Sequence, residues 1–368
     1  MARVKLGDVA REYKESIKDS AGLPSVGLEH LDSCEIALVR WDVGAENTFT
    51  KGFKRGHMLF GRRRAYLKKA ALAPFDGVCS GDITVIEAIP GKINPELLPF
   101  IIQNDLLFDY AVGNSAGSLS PRVKWESLKE YEFEIPELEK QDSLVELLKA
   151  ANCTKNAYRQ QILATDNLVK SQFIEMFVDK GFPQLTLSDI SQSWQKGQAF
   201  KKDDMVPDGN NQCIHYGELF TKYGVFIEEV ISKTYAEKTR ISEYGDILFP
   251  ASDVTPLGLT KCSALLLSGV ILGGDIIIMR PKAGNNSVYL SFAIRMEKEQ
   301  LLSKITGSVV RHISAKGLQT VSIIVPPIKE QNRFEALIRQ SDKSKFELKQ
   351  NIENINALMK SLIQQDFC

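Results

Sequence analysis

Residues 144–172 of the chain are LVELLKAANCTKNAYRQQILATDNLVKSQ, and residues 334–362 are FEALIRQSDKSKFELKQNIENINALMKSL. In both stretches the residues that would face a partner helix follow alternating steps of four and three, which is the a/d spacing of a coiled coil. No proline interrupts either stretch. A helix of about 40 residues would be about 60 Å long at about 1.5 Å per residue. The pattern therefore predicts two long helices that pack along a shared seam.

The seam positions correspond one to one between the two stretches. The apolar and aromatic ones are Leu144, Leu148, Tyr158, Ile162 and Val169 in the first stretch, and Phe334, Ile338, Leu348, Ile352, Ile355 and Met359 in the second. Lys155 and Lys345 also occupy corresponding seam positions, where a lysine can fix the register or mark a place where the pair loosens. The alternative is a pair of unrelated surface helices, each packed on its own domain.

The rest of the chain repeats at the same offset of about 190 residues. The segments 6–10, 56–60 and 81–83 return as 187–191, 245–249 and 274–276. Gly117-Ser118 followed by Arg122 returns as Gly307-Ser308 followed by Arg311. Each copy contains short apolar runs separated by glycine and proline, which indicate strands: 58–60, 81–86 and 133–135, then 247–249, 276–279 and 321–325.

These observations predict an α+β fold. Two similar mixed α/β domains would be joined by two long antiparallel coiled-coil spacer helices, in an internal repeat with a pseudo-twofold axis. The expected order is a first head at 1–136, a first spacer helix at 137–178, a linker at 179–185, a second head at 186–326 and a second spacer helix at 327–368. Such an arrangement would hold two heads apart.

Composition places the chain among ordinary globular proteins. It has 368 residues, 43% hydrophobic and 25% charged, with 46 Lys+Arg against 46 Asp+Glu. These values exclude a disordered, collagenous or disulfide-dense scaffold, and a net charge of zero gives no global attraction to nucleic acid or to a membrane. The N-terminus lacks the apolar core of a secretory signal, and the longest apolar run, 264–279, is too short to span a bilayer. We therefore expect a cytoplasmic protein with no membrane partner.

The charge balance fails locally in residues 51–75, which contain basic residues and no acidic one. Arginine and lysine interleaved with aromatic residues suit contacts to DNA phosphates and guanine edges. The candidate DNA-binding residues are Lys54, Arg55, Arg62, Arg63, Arg64, Tyr66, Lys68, Lys69 and Arg122 in the first head, and Lys196, Lys201, Lys202, Lys238, Arg240 and Arg311 in the second. The alternatives are a solvated hairpin or an acidic protein partner, and a structural salt bridge is equally compatible with Arg122 and Arg311.

No catalytic or metal-binding pattern is present in the sequence. It has neither a GxGxxG fingerprint nor a GxxxxGK[ST] loop, and its four histidines are far apart with no HExxH. The six cysteines form no CxxC pair, so no zinc site or disulfide framework is predicted. We expect a protein that is not an enzyme and holds no metal or cofactor of its own.

The stretch from Phe60 to Ile83, FGRRRAYLKKAALAPFDGVCSGDI, resembles the first recognition domain of type I restriction-modification specificity (S) subunits. The VPPIKEQ segment at 325–331 and its partner at 135–141 are similar to the starts of that family's spacer helices, and the resemblance covers the whole chain in the family's order. The second head departs from the pattern, since it lacks the dense basic cluster.

The resemblance implies two target-recognition domains that read the halves of an asymmetric bipartite sequence in double-stranded DNA, with the helices setting the gap between them. It also implies that the chemistry belongs to partners. Two methylation (M) subunits would bind S-adenosylmethionine and methylate adenine N6, and restriction (R) subunits would use ATP and Mg²⁺. The competing hypothesis is a two-headed protein-interaction scaffold without DNA recognition.

Overall fold

Two helices of 40 residues each, Leu138–Phe177 and Ile328–Phe367, coincide with the two predicted long helices. Both begin just after a proline, Pro136 in the first case and Pro327 in the second, where a missing backbone N–H costs nothing. The first helix ends where Asp179 and Gly181 take positive φ values of 58° and 75°. The structure is a computed structural model that describes residues 2–18, 22–44 and 48–367, so Cys368 lies outside the described residues.

The chain divides into two compact units that do not follow chain order. Unit 1 contains residues 1–161 and 347–368, and unit 2 contains residues 162–346. Each unit therefore combines one head with the beginning of one long helix and the end of the other.

Unit 1 has a head of short strands and helices. The strands are β1 (Ala2–Lys5), β2 (Ala10–Glu12), β3 (Pro24–Val26), β4 (Asp42–Val43), β5 (Lys51–Phe53), β6 (Met58–Gly61), β7 (Ala70–Leu72), β8 (Gly77–Cys79), β9 (Ile83–Ala88) and β10 (Glu132–Ile135). The helices are α1 (Leu6–Val9), α2 (Leu98–Ile102), α3 (Asp105–Gly113) and α4 (Trp125–Leu128), followed by the long helix α5 (Leu138–Phe177). Two four-stranded sheets have the orders β2-β9-β6-β7 and β4-β3-β8-β5, and β1 pairs with β10.

Unit 2 repeats this order of elements with some additions. Its strands are β11 (Gln184–Thr186), β12 (Ser191–Lys196), β13 (Asn211–Ile214), β14 (Phe226–Ile227), β15 (Lys233–Thr234), β16 (Asp246–Pro250), β17 (Ser252–Asp253), β18 (Ser263–Leu265), β19 (Ile271–Leu272), β20 (Ile276–Pro281), β21 (Arg311–His312) and β22 (Ser322–Ile324). Its helices are α6 (Leu187–Ile190), α7 (Glu218–Thr221), α8 (Ser287–Met296), α9 (Lys298–Ser303) and α10 (Ala315–Gln319), followed by α11 (Ile328–Phe367). The main sheet has the order β12-β20-β16-β18-β14, and β11 pairs with β22.

All six apolar runs predicted as strands overlap an observed strand. The central strand of each main sheet, β6 or β16, is buried along its whole length, which explains why both are continuous apolar runs. Each is flanked by the strand that precedes the helical part of its head: Met58 pairs with Ile86, and Ile247 pairs with Met279.

The core of each unit joins its head to parts of both long helices. In unit 1, Phe60 and Phe108 stack with ring centroids 5.2 Å apart, and the same core includes Leu148 of α5 and Met359 of α11. In unit 2, Phe177 of α5 lies 5.2 Å from Tyr289 and 5.4 Å from Phe334 of α11. Aromatic side chains bury large apolar areas and prefer offset-stacked and edge-to-face contacts of this kind, so the long helices are integral parts of both cores.

Candidate nucleic-acid interface

Most of the predicted residues of the first head, those from Arg62 to Lys69, lie on a tightly held loop between β6 and β7. The loop contains one 3-10 turn, Ala65–Leu67, bracketed by Arg64 and Lys68 with positive φ values of 54° and 51°. Its ends are joined by the bond from Gly61 N–H to the carbonyl oxygen of Lys69, at 2.8 Å. Arg64 N–H donates to Pro121 O at 2.8 Å. The backbone therefore presents these side chains from a fixed position.

Asp82 binds two of the candidate arginines. Its Oδ1 accepts a hydrogen bond from Arg122 Nε at 2.7 Å, and its Oδ2 lies 3.2 Å from Arg63 Nη1. Arg63 Nη2 also donates to Ser120 Oγ at 3.0 Å. Partial burial alone would raise the pKa of Asp82, but the hydrogen bonds from both arginines hold it below its usual value. The salt-bridge alternative for Arg122 is thus present in the structure.

Three of the candidate lysines in this head also have partners within the protein. Lys54 Nζ lies 3.4 Å from Glu15 and 3.7 Å from Asp76. Lys68 Nζ donates to Asp105 at 2.5 Å, and Lys69 Nζ donates to the carbonyl oxygen of Leu28 at 2.7 Å. The contacts of Lys68 and Lys69 connect the β6–β7 loop to distant parts of the head, so these two lysines help to hold the loop in place.

Four candidates remain uncommitted, and we call them the free set: Arg55, Arg62, Arg64 and Tyr66. Arg55, Arg64 and Tyr66 are exposed, whereas Arg62 is half-buried with its Nε enclosed and without a hydrogen-bond partner. Within residues 2–18, 22–44 and 48–367, no side-chain hydrogen bond or ion pair holds any of the four. Among the predicted residues of this head, these four can meet an external phosphate or base without first breaking an internal contact.

In the second head the structure brings part of the predicted set together. The side chain of Gln198 joins two segments: its Nε2 donates to Glu237 O at 2.8 Å, and its Oε1 accepts from Arg240 N at 2.9 Å. Lys196 and Lys238 on these segments are exposed. Lys196 lies 3.9 Å from Asp275.

The other predicted residues of the second head lie elsewhere. Lys201 and Lys202 are exposed at the 3-10 turn Lys202–Asp204. Arg311 lies on β21, where its Nη1 donates to Val254 O at 2.8 Å. The second head thus presents scattered cations rather than one dense loop.

The predicted correspondence between Arg122 and Arg311 is wrong by one residue. In the first head, Arg122 exchanges two backbone hydrogen bonds with Ala116, at 3.0 and 2.9 Å. In the second head, His312 exchanges the same two bonds with Thr306, at 3.0 and 2.8 Å. The structural counterpart of Arg122 is therefore His312, because the two hairpins have equal length.

Two acid–base side-chain pairs at the start of the central strands were not anticipated. In the first head, His57 Nε2 lies 3.6 Å from Glu87, and burial lowers the pKa of His57. In the second head, Arg280 forms two bonds to Asp246, which is fully buried: Nε to Oδ1 at 2.9 Å and Nη2 to Oδ2 at 3.1 Å. The repeated Gly-His and Gly-Asp dipeptides were visible in the sequence, but their partners lie 30 and 34 residues away.

The predicted seam residues are buried or half-buried without exception, and they are most enclosed near the heads. Leu144, Leu148, Val169, Phe334, Ile338 and Met359 are buried, and Tyr158, Ile162, Leu348, Ile352 and Ile355 are half-buried.

The two seam lysines have different surroundings. Lys155 is 4% exposed and lies 3.8 Å from Glu35, and burial lowers its pKa. In unit 2, Lys345 of α11 donates to Asp166 of α5 at 2.9 Å. Lys155 therefore anchors a helix to its head, whereas Lys345 links the two helices.

The described ranges contain no candidate metal site and no candidate membrane span. No group of three or more His, Cys, Asp or Glu side chains there is placed to hold a metal ion. No helix among the same residues combines the length and the hydropathy needed to cross a bilayer.

Comparisons with known proteins agree with this architecture. Residues 180–357 match the family model described as the type I restriction modification DNA specificity domain. The specificity subunit of the type I restriction enzyme EcoDI from Escherichia coli is 25% identical over 129 residues, which is 34% of this chain. The matched region spans only 28% of the length of that relative.

Two solved structures resemble the chain over nearly its whole length. One comes from a study of complex assembly and conformational transition in the type I R-M system, with a TM-score of 0.56, 19% identity, and coverage of 99% of this chain and 97% of the other. The other is the type I restriction-modification S subunit from M. genitalium, with a TM-score of 0.56, 12% identity, and coverage of 100% and 96%. At these identities the likeness concerns the fold alone. The match to the type I restriction modification DNA specificity domain thus covers residues 180–357, and the likeness to the two solved structures extends a shared fold over the whole chain.

Proposed function

We propose that this chain is the DNA sequence-specificity subunit of a type I restriction-modification complex, and that its two heads read the two halves of an asymmetric bipartite DNA target. The observation that carries the proposal is the specificity-domain match over residues 180–357, in a chain that contains two heads of similar topology. That match gives no support to the alternative of an interaction scaffold without DNA recognition.

The long helices act, in this proposal, as an antiparallel coiled-coil spacer between heads related by a pseudo-twofold axis. The full or partial burial of every predicted seam residue supports the pairing, as does the ion pair between Lys345 and Asp166. The hydrogen-bonded hairpins at 116–122 and 306–312 support the internal repeat, because they share the same length and the same pair of bonds.

The proposed DNA contacts are assigned to those candidate side chains that form no hydrogen bond or ion pair with another described residue of the protein. In the first head, the free set offers guanidinium groups for phosphates or guanine edges, with Tyr66 beside them. In the second head, exposed Lys201, Lys202 and Lys238 are suited to sequence-independent phosphate contacts. The other candidates of the first head would contact DNA only after giving up a partner inside the protein. They are Lys54, Arg63, Lys68, Lys69 and Arg122.

The chemistry of the complex would come from its partners in the cytoplasm. The family resemblance implies two M subunits that bind S-adenosylmethionine and methylate adenine N6, and R subunits that use ATP and Mg²⁺. This chain would contribute recognition and geometry, without a catalytic residue of its own.

Methylome sequencing of the host with and without this gene tests the proposal. We expect adenine methylation at one bipartite, asymmetric motif that disappears when the gene is deleted. An unchanged methylome, in a host whose M subunits are expressed, would contradict the proposal.

A second experiment tests the spacer separately from recognition. Insertion of one heptad into each long helix adds about 10 Å per helix, which corresponds to about three base pairs at about 3.4 Å each. The gap in the methylated motif should lengthen by about this amount, while both half-sites stay the same. Changed half-sites would argue against a spacer role.

A further inference from the structure

A buried glutamine lies in the first turn of each long helix. Gln141 of α5 and Gln331 of α11 are each 1% exposed. The Nε2 of Gln141 donates to the carbonyl oxygen of Pro136 at 2.8 Å, and that of Gln331 donates to Pro326 at 2.8 Å. Each glutamine therefore binds the segment that leads into its own helix.

The other end of each glutamine binds a loop of the head. Gln141 Oε1 accepts from the backbone N–H of Asn94 at 2.8 Å, and Gln331 Oε1 accepts from that of Asn286 at 2.9 Å. Both ends of both amides are thus satisfied in the same way, although the two heads differ in charge and in loop content. We call this arrangement the glutamine clip.

The asparagine on the loop completes the clip in both units. Asn94 Nδ2 donates to Asp142 Oδ1 at 2.7 Å, and Asn286 Nδ2 donates to Asn332 Oδ1 at 2.9 Å. Their Oδ1 atoms turn back into the heads: that of Asn94 accepts from Glu96 N at 2.8 Å. That of Asn286 caps α8 by accepting from Tyr289 N at 2.9 Å. Each asparagine therefore ties the head to the helix.

A clip of this kind constrains direction in a way that apolar packing does not. Hydrogen bonds weaken steeply when distance or angle departs from the optimum, whereas hydrophobic contact is non-directional. Rotation or tilt of the helix against the head would leave the buried backbone groups of Asn94 and Pro136 without partners, which is costly. The glutamine clip therefore holds one orientation of helix against head.

We infer that Gln141 and Gln331 are positioning residues that set the direction in which each long helix leaves its head. The biological meaning of this inference rests on the proposed function. In that function, the direction of each long helix would determine how narrowly the complex selects one length of the gap between the two half-sites. The glutamines would not touch DNA, so the two half-sites would be read as before.

Gln141→Met and Gln331→Met test the inference, because methionine has a similar volume and forms neither bond. Methylomes of complexes with these variants should show the same two half-sites. Methylation at gaps one base pair longer or shorter should rise by about tenfold relative to the wild type, which corresponds to about 1.4 kcal/mol. The matched controls are Gln160→Met and Gln340→Met, which change exposed glutamines on the same helices and should leave the gap unchanged.

Two results would overturn the inference. One is lower methylation at all sites with the gap preserved, which indicates a contribution to stability alone. The other is a change in the half-sites, which indicates contact with DNA. If the methionine variants do not fold, Asp142→Ala and Asn332→Ala remove only the exposed part of the clip and should widen the gap distribution to a smaller degree.

A distance measurement in unit 1 separates this inference from the proposed function. Spin labels at the exposed positions Asp109 and Thr154, introduced as unnatural amino acids in the full chain, report the angle between head and helix. The distance distribution should be narrow in the wild type and broader in Gln141→Met. Equal widths would contradict the inference, whatever the methylome shows, and absence of a bipartite motif in the wild type would contradict only the proposed function.

Discussion

The segment that follows the central strand is Arg62-Arg63-Arg64 in the first head and Ala251-Ser252-Asp253 in the second. The backbone is the same in both places: Arg62 N donates to Asp82 O at 3.0 Å, and Ala251 N donates to Asp275 O at 2.8 Å. Three arginines are thus replaced by two neutral residues and an acid on an unchanged framework. The comparison shows that the basic loop is not needed for the fold of a head.

The start of the same strands gives a second contrast. His57 faces Glu87 in the first head, whereas Asp246 faces Arg280 in the second, so the acid and the base have exchanged strands. Both turns keep a glycine with φ of 88° before the exchanged residue. In both turns that residue's side chain accepts a backbone hydrogen bond, from Lys54 at 3.1 Å and from Glu243 at 2.8 Å. The main chain preserves the architecture, and side-chain charge is free to differ.

The largest effect is expected from Arg280→Met in the second head. It leaves the fully buried Asp246 without its bidentate partner, which typically costs about 3–5 kcal/mol. Glu87→Gln in the first head should cost less than about 1 kcal/mol, because the contact of Glu87 with His57 is longer and its salt bridge to Arg11 is exposed to solvent. Denaturant unfolding, with hydrogen exchange to locate the transition, measures both.

The double variant Asp246→Asn, Arg280→Met is the control for this contrast. It removes both charges and should recover part of the lost free energy of unfolding. Equal losses for Arg280→Met and Glu87→Gln would show that the two pairs are equivalent despite their different burial.

The next effect concerns DNA. Arg62→Gln with Arg64→Gln makes the first loop nearly as poor in free cations as its counterpart. Binding of the assembled complex to its cognate DNA should weaken by about tenfold, and the slope of log K against log salt should fall by about 2 if both residues contact phosphates.

Lys68→Gln with Lys69→Gln is the matched control, since it removes the same charge from the same loop. Both lysines are already bound, to Asp105 and to Leu28 O, so the change in slope should be smaller. Equal slopes of log K against log salt for the two double variants would mean that the net charge of the loop governs DNA binding, rather than the presence of cations without an internal partner.

A smaller effect is expected where Asp82 joins two arginines. Asp82→Asn replaces charge-assisted bonds to Arg63 and Arg122 and should lower the free energy of unfolding by about 1–2 kcal/mol. Its counterpart Asp275 contacts Ser252 at 3.1 Å and Lys196 at 3.9 Å, so Asp275→Asn should cost less than about 0.5 kcal/mol. Thermal unfolding measures the stability of both variants. A larger loss of stability for Asp275→Asn than for Asp82→Asn would contradict the expected difference between the two heads.

The smallest effect is the dependence on pH that His57 adds at the central strand of the first head. Burial lowers the pKa of His57 below its value in the unfolded chain, so proton uptake favours the unfolded state. The stabilisation is complete above the unfolded pKa of about 6.5 and is lost as the pH falls below it. Hydrogen exchange between pH 7 and pH 5 should show weaker protection around β6, and His57→Gln should remove this change. An equal loss around β16, which has no histidine at that place, would contradict the assignment.

The sequence predicted those features that depend on local periodicity. Seven-residue spacing and the absence of proline located both long helices, and apolar runs between glycines and prolines located the central strands. The glutamine clip was present in the sequence only as Gln141 and Gln331, without a role. Its partners, Asn94 and Asn286, lie 47 and 45 residues away, and no local pattern reveals such pairing.

The candidate interface was harder to predict, because a run of basic residues does not show which of them are already bound. Lys69 reaches a carbonyl 41 residues away, and Arg122 reaches Asp82 across 40 residues. The shifted correspondence between Arg122 and Arg311 has a similar cause: residue type suggested one alignment, and the hydrogen bonds of the two hairpins gave another.

The division of the chain into units affects the order in which it can fold during synthesis. Unit 2 is a continuous segment, residues 162–346, and all of its core residues are synthesised before the last helix is complete. Unit 1 begins first but needs Met359 and Ile363, which are made near the end of translation. Domains generally fold as units once their residues are available. The head that is synthesised first is therefore completed last, and a stop codon shortly before residue 359 would damage the core of the first head while leaving that of the second whole.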